Sequence, residues 1–359
     1  MSTPSAPLPG YVRLVSHAGS RFRLWWLDKL LRVAVKRAFR YDADIGFLRD
    51  RQAALDLKLT RIDPEMKAQP VDCDGAAAEW ITLPESRSDK VIFYIHGGAW
   101  MFKFPRLHHA MVASWCRRIR ARALMVDYRL APEFRFPAGI DDVWAAWQWL
   151  MALGIPPRDV IIGGDSAGGN LTLALLHRIK AAGQPMPACA VMLSPFVDFT
   201  LSSPSMVTNE KRDPMFSTSA MVGLRHHYIA PEDMLSPDAS PLFGDFSGLP
   251  PLFFQSSESE MLRDDSLRAA ERAHAAGVGV EVELWANVPH VFQGLQVLSH
   301  GKAALENIAG FVARHTDWDR APPPLPQQQP EPGAPTNAGA PLPAAGSDQF
   351  LRTTMLPIE

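Results

Sequence analysis

Gly164-Asp165-Ser166-Ala167-Gly168 is the segment of this 359-residue chain best suited to covalent chemistry. A serine framed by glycines suits a turn too tight for bulky neighbours. The residues ahead of it are apolar up to Gly163, and a helix is expected just after Gly169. A strand-to-helix turn of this kind forces its serine into a strained, exposed position. The helix start also favours developing negative charge through its amide groups. The five-residue pattern alone equally describes an ordinary glycine-rich turn that cradles a phosphate, so Ser166 needs partners elsewhere.

His96-Gly97-Gly98-Ala99 directly follows the apolar run 91–95. Such a loop offers backbone N–H groups to a carbonyl oxygen as it becomes an oxyanion. The expected donors are Gly98 and Ala99, joined by the N–H of Ala167. His96 lacks a neighbouring partner for metal or proton chemistry and is expected to shape the loop.

A serine nucleophile needs a base, and on such an elbow the acid and then the histidine follow in chain order. Among eleven histidines, His290 lies in Val288-Pro289-His290-Val291-Phe292, a loop after the last expected strand. That edge of a parallel sheet is where ligands bind. The adjacent pairs His108-His109 and His226-His227 point in different directions on a helix and are expected at the surface or at caps. For the acid, Glu258, Glu260, Asp264 and Asp265 follow the run 252–255. Asp264 and Asp265 suit the first turn of a helix. Glu260 is the expected partner of His290, with Glu258 second.

The elements that must hold these groups follow a regular rhythm. Strands are expected at 91–95, 123–127, 160–162, 190–193, 252–255 and 280–285. Helices are expected at 106–120, 140–153, 170–182, 264–276 and 301–315. This alternation means a mostly parallel sheet with helices on both faces. Residues 198–238 break the rhythm and read as an insertion above the sheet, with a short helix at 219–228.

The flanks differ in character. Between residues 21 and 40, Phe22, Trp25, Trp26, Leu30, Val33 and Phe39 share one helical face, and seven basic residues accompany the single acid Asp28. Such a helix either lies on an anionic membrane surface or packs its Trp stripe on the body with the arginines in water; the second arrangement is expected. Residues 319–359 are rich in Pro and Ala, cannot bury a core and read as a disordered tail. A net charge of −2 gives no reason to expect nucleic acid, and 47% hydrophobic with 21% charged residues suits a protein with a large core. Cys73, Cys116 and Cys189 form no CxxC pair and read as isolated thiols of a reducing compartment. No secretory signal or membrane span is visible, so a cytoplasmic location is expected. The sequence does not specify an oligomeric state.

With these residues in order, the chain resembles the hormone-sensitive-lipase family of α/β-hydrolases, over about residues 90–315. The resemblance rests on His96-Gly97-Gly98-Ala99-Trp100, Asp127-Tyr128-Arg129-Leu130-Ala131-Pro132-Glu133 and Gly164-Asp165-Ser166-Ala167-Gly168-Gly169. It continues through Leu193-Ser194-Pro195, Ser240-Pro241, Gly248-Leu249-Pro250-Pro251, the segment 260–266 and His290-Val291-Phe292. It implies an α/β-hydrolase fold whose helical cap comes from residues 1–65 and an insertion at about 198–238 in a catalytic domain spanning 66–318. It implies Ser166 as nucleophile, His290 as base, Glu260 as acid, and Gly98, Ala99 and Ala167 as oxyanion donors. Arg129 and Glu133 are expected to tie loops near the oxyanion turn. Lys103-Phe104 depart from the Gly-Ser common in the family, which alters the pocket; Trp100, Phe102 and Phe104 are candidates for its wall or, equally, for the core. The implied activity is hydrolysis of short- to medium-chain carboxylic esters, without metal or cofactor, on small-molecule substrates. An amidase or lactonase would use the same residues. A membrane-surface lipase and a non-catalytic ligand receptor are the other readings of the same scaffold.

Overall fold

Apolar runs that must be covered on both faces assemble here into a single nine-stranded sheet. The structure is a computed structural model that describes residues 8–19, 21–41, 44–295 and 298–318. Its strands are β1 (Val12–Val15), β2 (Lys67–Cys73), β3 (Ala76–Thr82), β4 (Arg87–Ile95) and β5 (Ala121–Val126), followed by β6 (Val160–Asp165), β7 (Cys189–Leu193), β8 (Leu252–Ser257) and β9 (Val280–Trp285). Their order across the sheet is β1-β9-β8-β7-β6-β4-β5-β3-β2. The pairings β2–β3 and β3–β5 are antiparallel and the other six are parallel.

The helices are α1 (Arg21–Leu31), α2 (Ile45–Leu59), α3 (Pro105–Ile119), α4 (Ala138–Ala152), α5 (Ala167–Ala181), α6 (Ser205–Thr208), α7 (Thr218–Tyr228), α8 (Arg263–Ala275) and α9 (Ser299–His315). Alternate residues of β4 divide the core in two, as a period of two requires. Val91, Phe93 and Ile95 join Ile140 and Val143 of α4, Leu171 of α5 and Ala269 of α8. Ile92 and Tyr94 join Met111 and Trp115 of α3 and Ile308 and Phe311 of α9. After β4 the chain moves outward to β5, then returns to lay β6 on the other side of β4. The crevice at the carboxyl ends of β4 and β6 is the topological switch point, where open α/β sheets bind ligands.

All six expected strands and the expected helices after residue 100 are present, with bounds displaced by a few residues. The N-terminal stretch differs more. It opens with a strand: β1 pairs in parallel with β9, and Arg13 makes an ion pair with the buried Glu283. Glu283 also accepts bonds from Gln255, Trp285 and Asn307, so it ties β1, β8, β9 and α9 together. The helix expected over 21–40 is α1 followed by a π-helical turn, Arg32–Lys36.

The orientation of this helix reverses the expected one. Phe22, Trp25, Trp26, Leu30 and Val33 are each more than half exposed. Arg32 instead faces the body, donating to the carbonyls of Lys211, Arg212 and Asp213, and Lys36 donates to those of Glu210 and Asp213. The bare carbonyls of that turn need donors, and the two cations supply them. Tyr41 N–H donates to Ser219 Oγ at 3.3 Å, so the N-terminal segment also meets α7. The Pro/Ala-rich tail 319–359 lies outside the described residues.

Cys73, Cys116 and Cys189 are all free and buried. Burial pushes the Cys73 and Cys116 thiols up to about 12 and raises Cys189 as well. The native protein is therefore expected to release almost no colour with Ellman's reagent at pH 8, against three equivalents in guanidinium; rapid reaction of any thiol in the native state would contradict this packing.

Candidate active site

Each functional group sits just beyond the carboxyl end of a parallel strand. β4 runs into His96, β6 into Ser166, β7 into Ser194, β8 into Glu260 and β9 into His290. Strands β6, β7, β8 and β9 are neighbours in that order, so groups far apart in sequence meet along one edge.

Ser166 is the residue before α5, with φ 53° and ψ −115°. A residue with a Cβ pays a steric cost in this region, and such strain clusters at functional turns. The turn is held from both ends: Ser166 N–H donates to Leu193 O at 2.8 Å, and Asn170 N–H donates to Ser166 O at 3.1 Å. It also lies hard against the end of β4, since a Cβ on Gly168 would meet Ile95 O and His96 O. Glycine is required there by that backbone approach.

The loop expected to meet an oxyanion, from His96 onward, is secured by the residue before Ser166. Asp165, buried at the end of β6, accepts from Gly97 N–H at 2.9 Å and from Tyr94 OH at 2.7 Å, and lies 3.3 Å from His108 Nε2. Burial pushes its carboxyl up, but His108 and these donors outweigh that and hold it below the usual range. Gly97 N–H is thus spent on Asp165. Gly98 takes φ 117°, and Ala99 and Trp100 take 55° and 58°. Met101 and Phe102 N–H close the loop on Gly98 O at 3.0 and 2.8 Å. Among the described residues, the N–H groups of Gly98 and Ala99 have no internal partner. Ala167, first in α5, has its N–H outside the helical ladder. The three expected donors are thus among the amides of this region with no internal partner, as is Trp100 N–H.

His290 Nδ1 lies 2.6 Å from Glu260 Oε2, and both side chains are buried. The other carboxylate oxygen accepts from Ser194 Oγ at 2.9 Å and Ser257 N–H at 2.7 Å. A buried carboxylate needs such donors. Phe216 stands edge-on to the His290 ring at 4.9 Å. Glu258, the second candidate, pairs instead with Arg212 at 3.2 Å near the surface. Asp264 and Asp265 lie in the first turn of α8 and accept from Ser205 N–H and Val197 N–H. Among the described residues no hydrogen bond joins Ser166 to His290; unliganded sites often form that bond only with substrate.

Several supporting residues carry little sequence signal. Asp213 is buried and accepts from Met215, Phe216 and Met261 N–H, while Asn209 donates to the carbonyls of Glu258 and Glu260. Together they fix the loop carrying the acid. Ser194 lies in a motif quoted for the resemblance, and its place at the end of an apolar run is the available hint. Glu133 acts through Arg49 of α2, which donates to Met101 O and Ala131 O at 2.8 and 2.7 Å. Arg129 does not reach the oxyanion loop; it pairs with Asp142 of α4 at 2.7 Å. His108 is buried beside Asp165 rather than at the surface, because the first turns of α3 face the elbow.

His96 shapes the loop: its ring stacks on Tyr128 at 4.4 Å, and Tyr128 OH donates to His96 O at 2.9 Å. Trp100 is buried among Phe196, Phe199 and Tyr228, and Phe102 packs on Phe39. Phe104 is partly buried and precedes α3, and Lys103 pairs with Asp127. Among the described residues no cluster of His, Cys, Asp and Glu has the geometry to hold a metal ion.

A family model described as alpha/beta hydrolase fold matches residues 92–294. An esterase of Acinetobacter venetianus is 34% identical over 82% of this chain and 97% of its own length. An acetyl-hydrolase of Streptomyces hygroscopicus is 35% identical over 67% of this chain and 80% of its own. Among solved structures, an esterase from the bacterial hormone-sensitive lipase family superposes with a TM-score of 0.77 at 34% identity, covering 82% of this chain and 99% of that one.

His96 also makes a pH prediction. Burial, and after it His108, push its pKa from 6.5 down to about 4. Its Nε2 has no hydrogen bond, and Asp127 is 3.9 Å away. Below pH 6.5 the unfolded chain takes up a proton that the folded state refuses, so stability falls as pH drops toward 4. The loss reaches about 3 kcal/mol. Urea titrations at pH 7.5 and 4.5 are expected to show a smaller acid-induced loss for His96→Gln than for the parent; equal losses would remove His96 as the cause.

Proposed function

The chain belongs to the hormone-sensitive-lipase family of α/β-hydrolases and is a serine ester hydrolase, and from that premise we propose that Ser166, His290 and Glu260 form a triad that hydrolyses short- to medium-chain carboxylic esters through an acyl-enzyme. The observation that carries this reading is the buried His290–Glu260 pair, 2.6 Å apart, at the same sheet edge as the strained Ser166 turn.

Ser166 Oγ attacks the ester carbonyl and passes its proton to His290 Nε2. Glu260 holds Nδ1–H, which fixes the tautomer and stabilises the imidazolium. The carbonyl oxygen becomes an oxyanion and accepts from the N–H groups of Gly98, Ala99 and Ala167. Its collapse breaks the bond to the alcohol, which leaves with the proton from His290. Water then gives a proton to His290, attacks the acyl-serine and releases the acid, restoring Ser166. Every proton is accounted for by His290, so the cycle requires no cofactor.

In this reading residues 1–65, apart from the sheet strand β1, and about 198–238 act as a cap over the catalytic domain 66–318, whose sheet β1 extends. The contacts of Arg32, Lys36 and Tyr41 with the 210–219 stretch support that division. Trp100, Phe102 and Phe104 form the apolar wall next to the oxyanion loop. Three unpaired buried thiols favour a reducing compartment such as the cytoplasm. Exposure of the Trp stripe on α1 favours a peripheral membrane contact.

The purified protein is expected to cleave p-nitrophenyl esters best at short acyl chains and poorly at palmitate. Ser166→Ala should lower kcat/KM by about 10³-fold or more, and Glu260→Gln by on the order of 10³-fold with folding preserved. Equal rates in Ser166→Ala and parent would remove the serine from its role. A preference for anilides or lactones over esters would move the reading to an amidase or lactonase. Ligand binding without turnover would make the protein a receptor.

A further inference from the structure

A contiguous apolar stripe on a water-facing helix is the kind of patch that marks an interaction surface. Phe22, Trp25, Trp26, Leu30 and Val33 recur at spacings of three and four and so share one face. That face is turned to solvent, while Leu24 packs against the small cluster around Trp285 and Phe292. The rings are ordered among themselves: Trp25 and Trp26 meet edge-to-face at 5.0 Å, and Phe22 meets Trp26 at 6.2 Å.

The charges complete the pattern. Lys29 lies within the stripe, 5.7 Å over the Trp25 ring, and Arg37 and Arg40, just past the π-helical turn, are also exposed. Arg32 and Lys36 are already committed to the carbonyls of 210–213, so they anchor the helix to the body. α1 is 11 residues long, too short to span a bilayer and suited to lie along one. Among the described residues no helix is long and apolar enough to cross a membrane.

We propose that the exposed face of α1 and its π-helical continuation is a docking surface for an anionic lipid bilayer. The tryptophans enter the interfacial layer while Lys29, Arg37 and Arg40 meet the phosphate headgroups. This fits the anionic cytoplasmic leaflet. Arg32 and Lys36 pin the docked helix to the turn that carries Asp213, and Asp213 holds the loop of Glu260. Docking would therefore bring the acid-loop side of the molecule toward the lipid. The proposal stands apart from the ester chemistry, because its test reads binding alone.

The test is flotation of the full chain with vesicles of phosphatidylcholine, with and without phosphatidylglycerol. The parent is expected to float with the anionic vesicles only, with a blue shift in Trp emission. Raising salt from about 0.1 M to about 1 M, which cuts the Debye length from about 10 Å to about 3 Å, should weaken the partition. W25S/W26S should lose at least about tenfold in partition, equivalent to about 1.4 kcal/mol, with an unchanged thermal midpoint. Failure of the parent to float, or equal flotation of parent and W25S/W26S, would overturn the proposal. So would a dimer by light scattering that W25S/W26S converts to monomer, which would assign the stripe to a second copy of the chain.

Discussion

The carboxylate of Asp165 is the contact on which the catalytic geometry hangs. It is covalently next to Ser166, the proposed nucleophile, and accepts from Gly97 N–H, so one buried side chain ties the serine turn to the loop of the proposed anion donors. Tyr94 comes from β4 and His108 from α3, so the same group joins two more elements to the elbow. Buried charge without partners is costly; here the donors that repay desolvation are the parts that must be kept in register. By consuming Gly97 N–H, Asp165 also leaves the following amides for a substrate.

The acid side uses the same logic with different parts. Glu260 divides its two oxygens, one for His290 and one for Ser194 and Ser257. Its loop is then clamped by Asn209 and Asp213 from the mid-chain insertion. Side chains of the 198–238 stretch thus reach the loop of Glu260 through its main chain, and Phe216, three residues after Asp213, touches the His290 ring. Shape above the site and orientation within it are mechanically one assembly.

The parallel core was legible because strands buried on both faces must be continuous apolar runs, and helices between them carry a 3.6-residue period. The site edge is legible for a related reason, since His96 and Ser166 each follow directly on a strand and His290 lies five residues past another. The β2–β3 hairpin is faint in the apolar pattern, because β2 is exposed and carries Pro70 and β3 opens on three alanines, although Asp74-Gly75, both with positive φ, is a strong turn signal. β1 escaped because four residues with a half-exposed pattern say nothing about a partner 270 positions away. Hydrophobicity alone does not give the orientation of α1, because the face turned inward carries Arg32 and Lys36, which donate to four carbonyls at 210–213.

β1 has a consequence for how the chain can be shortened. It covers the outer row of β9, and Arg13 is the only cation bonded to Glu283 among the described residues. A chain cut back to remove the amphipathic helix would lose β1 as well. Val280–Trp285 would then become a bare border strand, able to stitch onto a neighbouring molecule. The segment that adorns the surface with tryptophan is thus also the selvedge that keeps the sheet from unravelling into self-association.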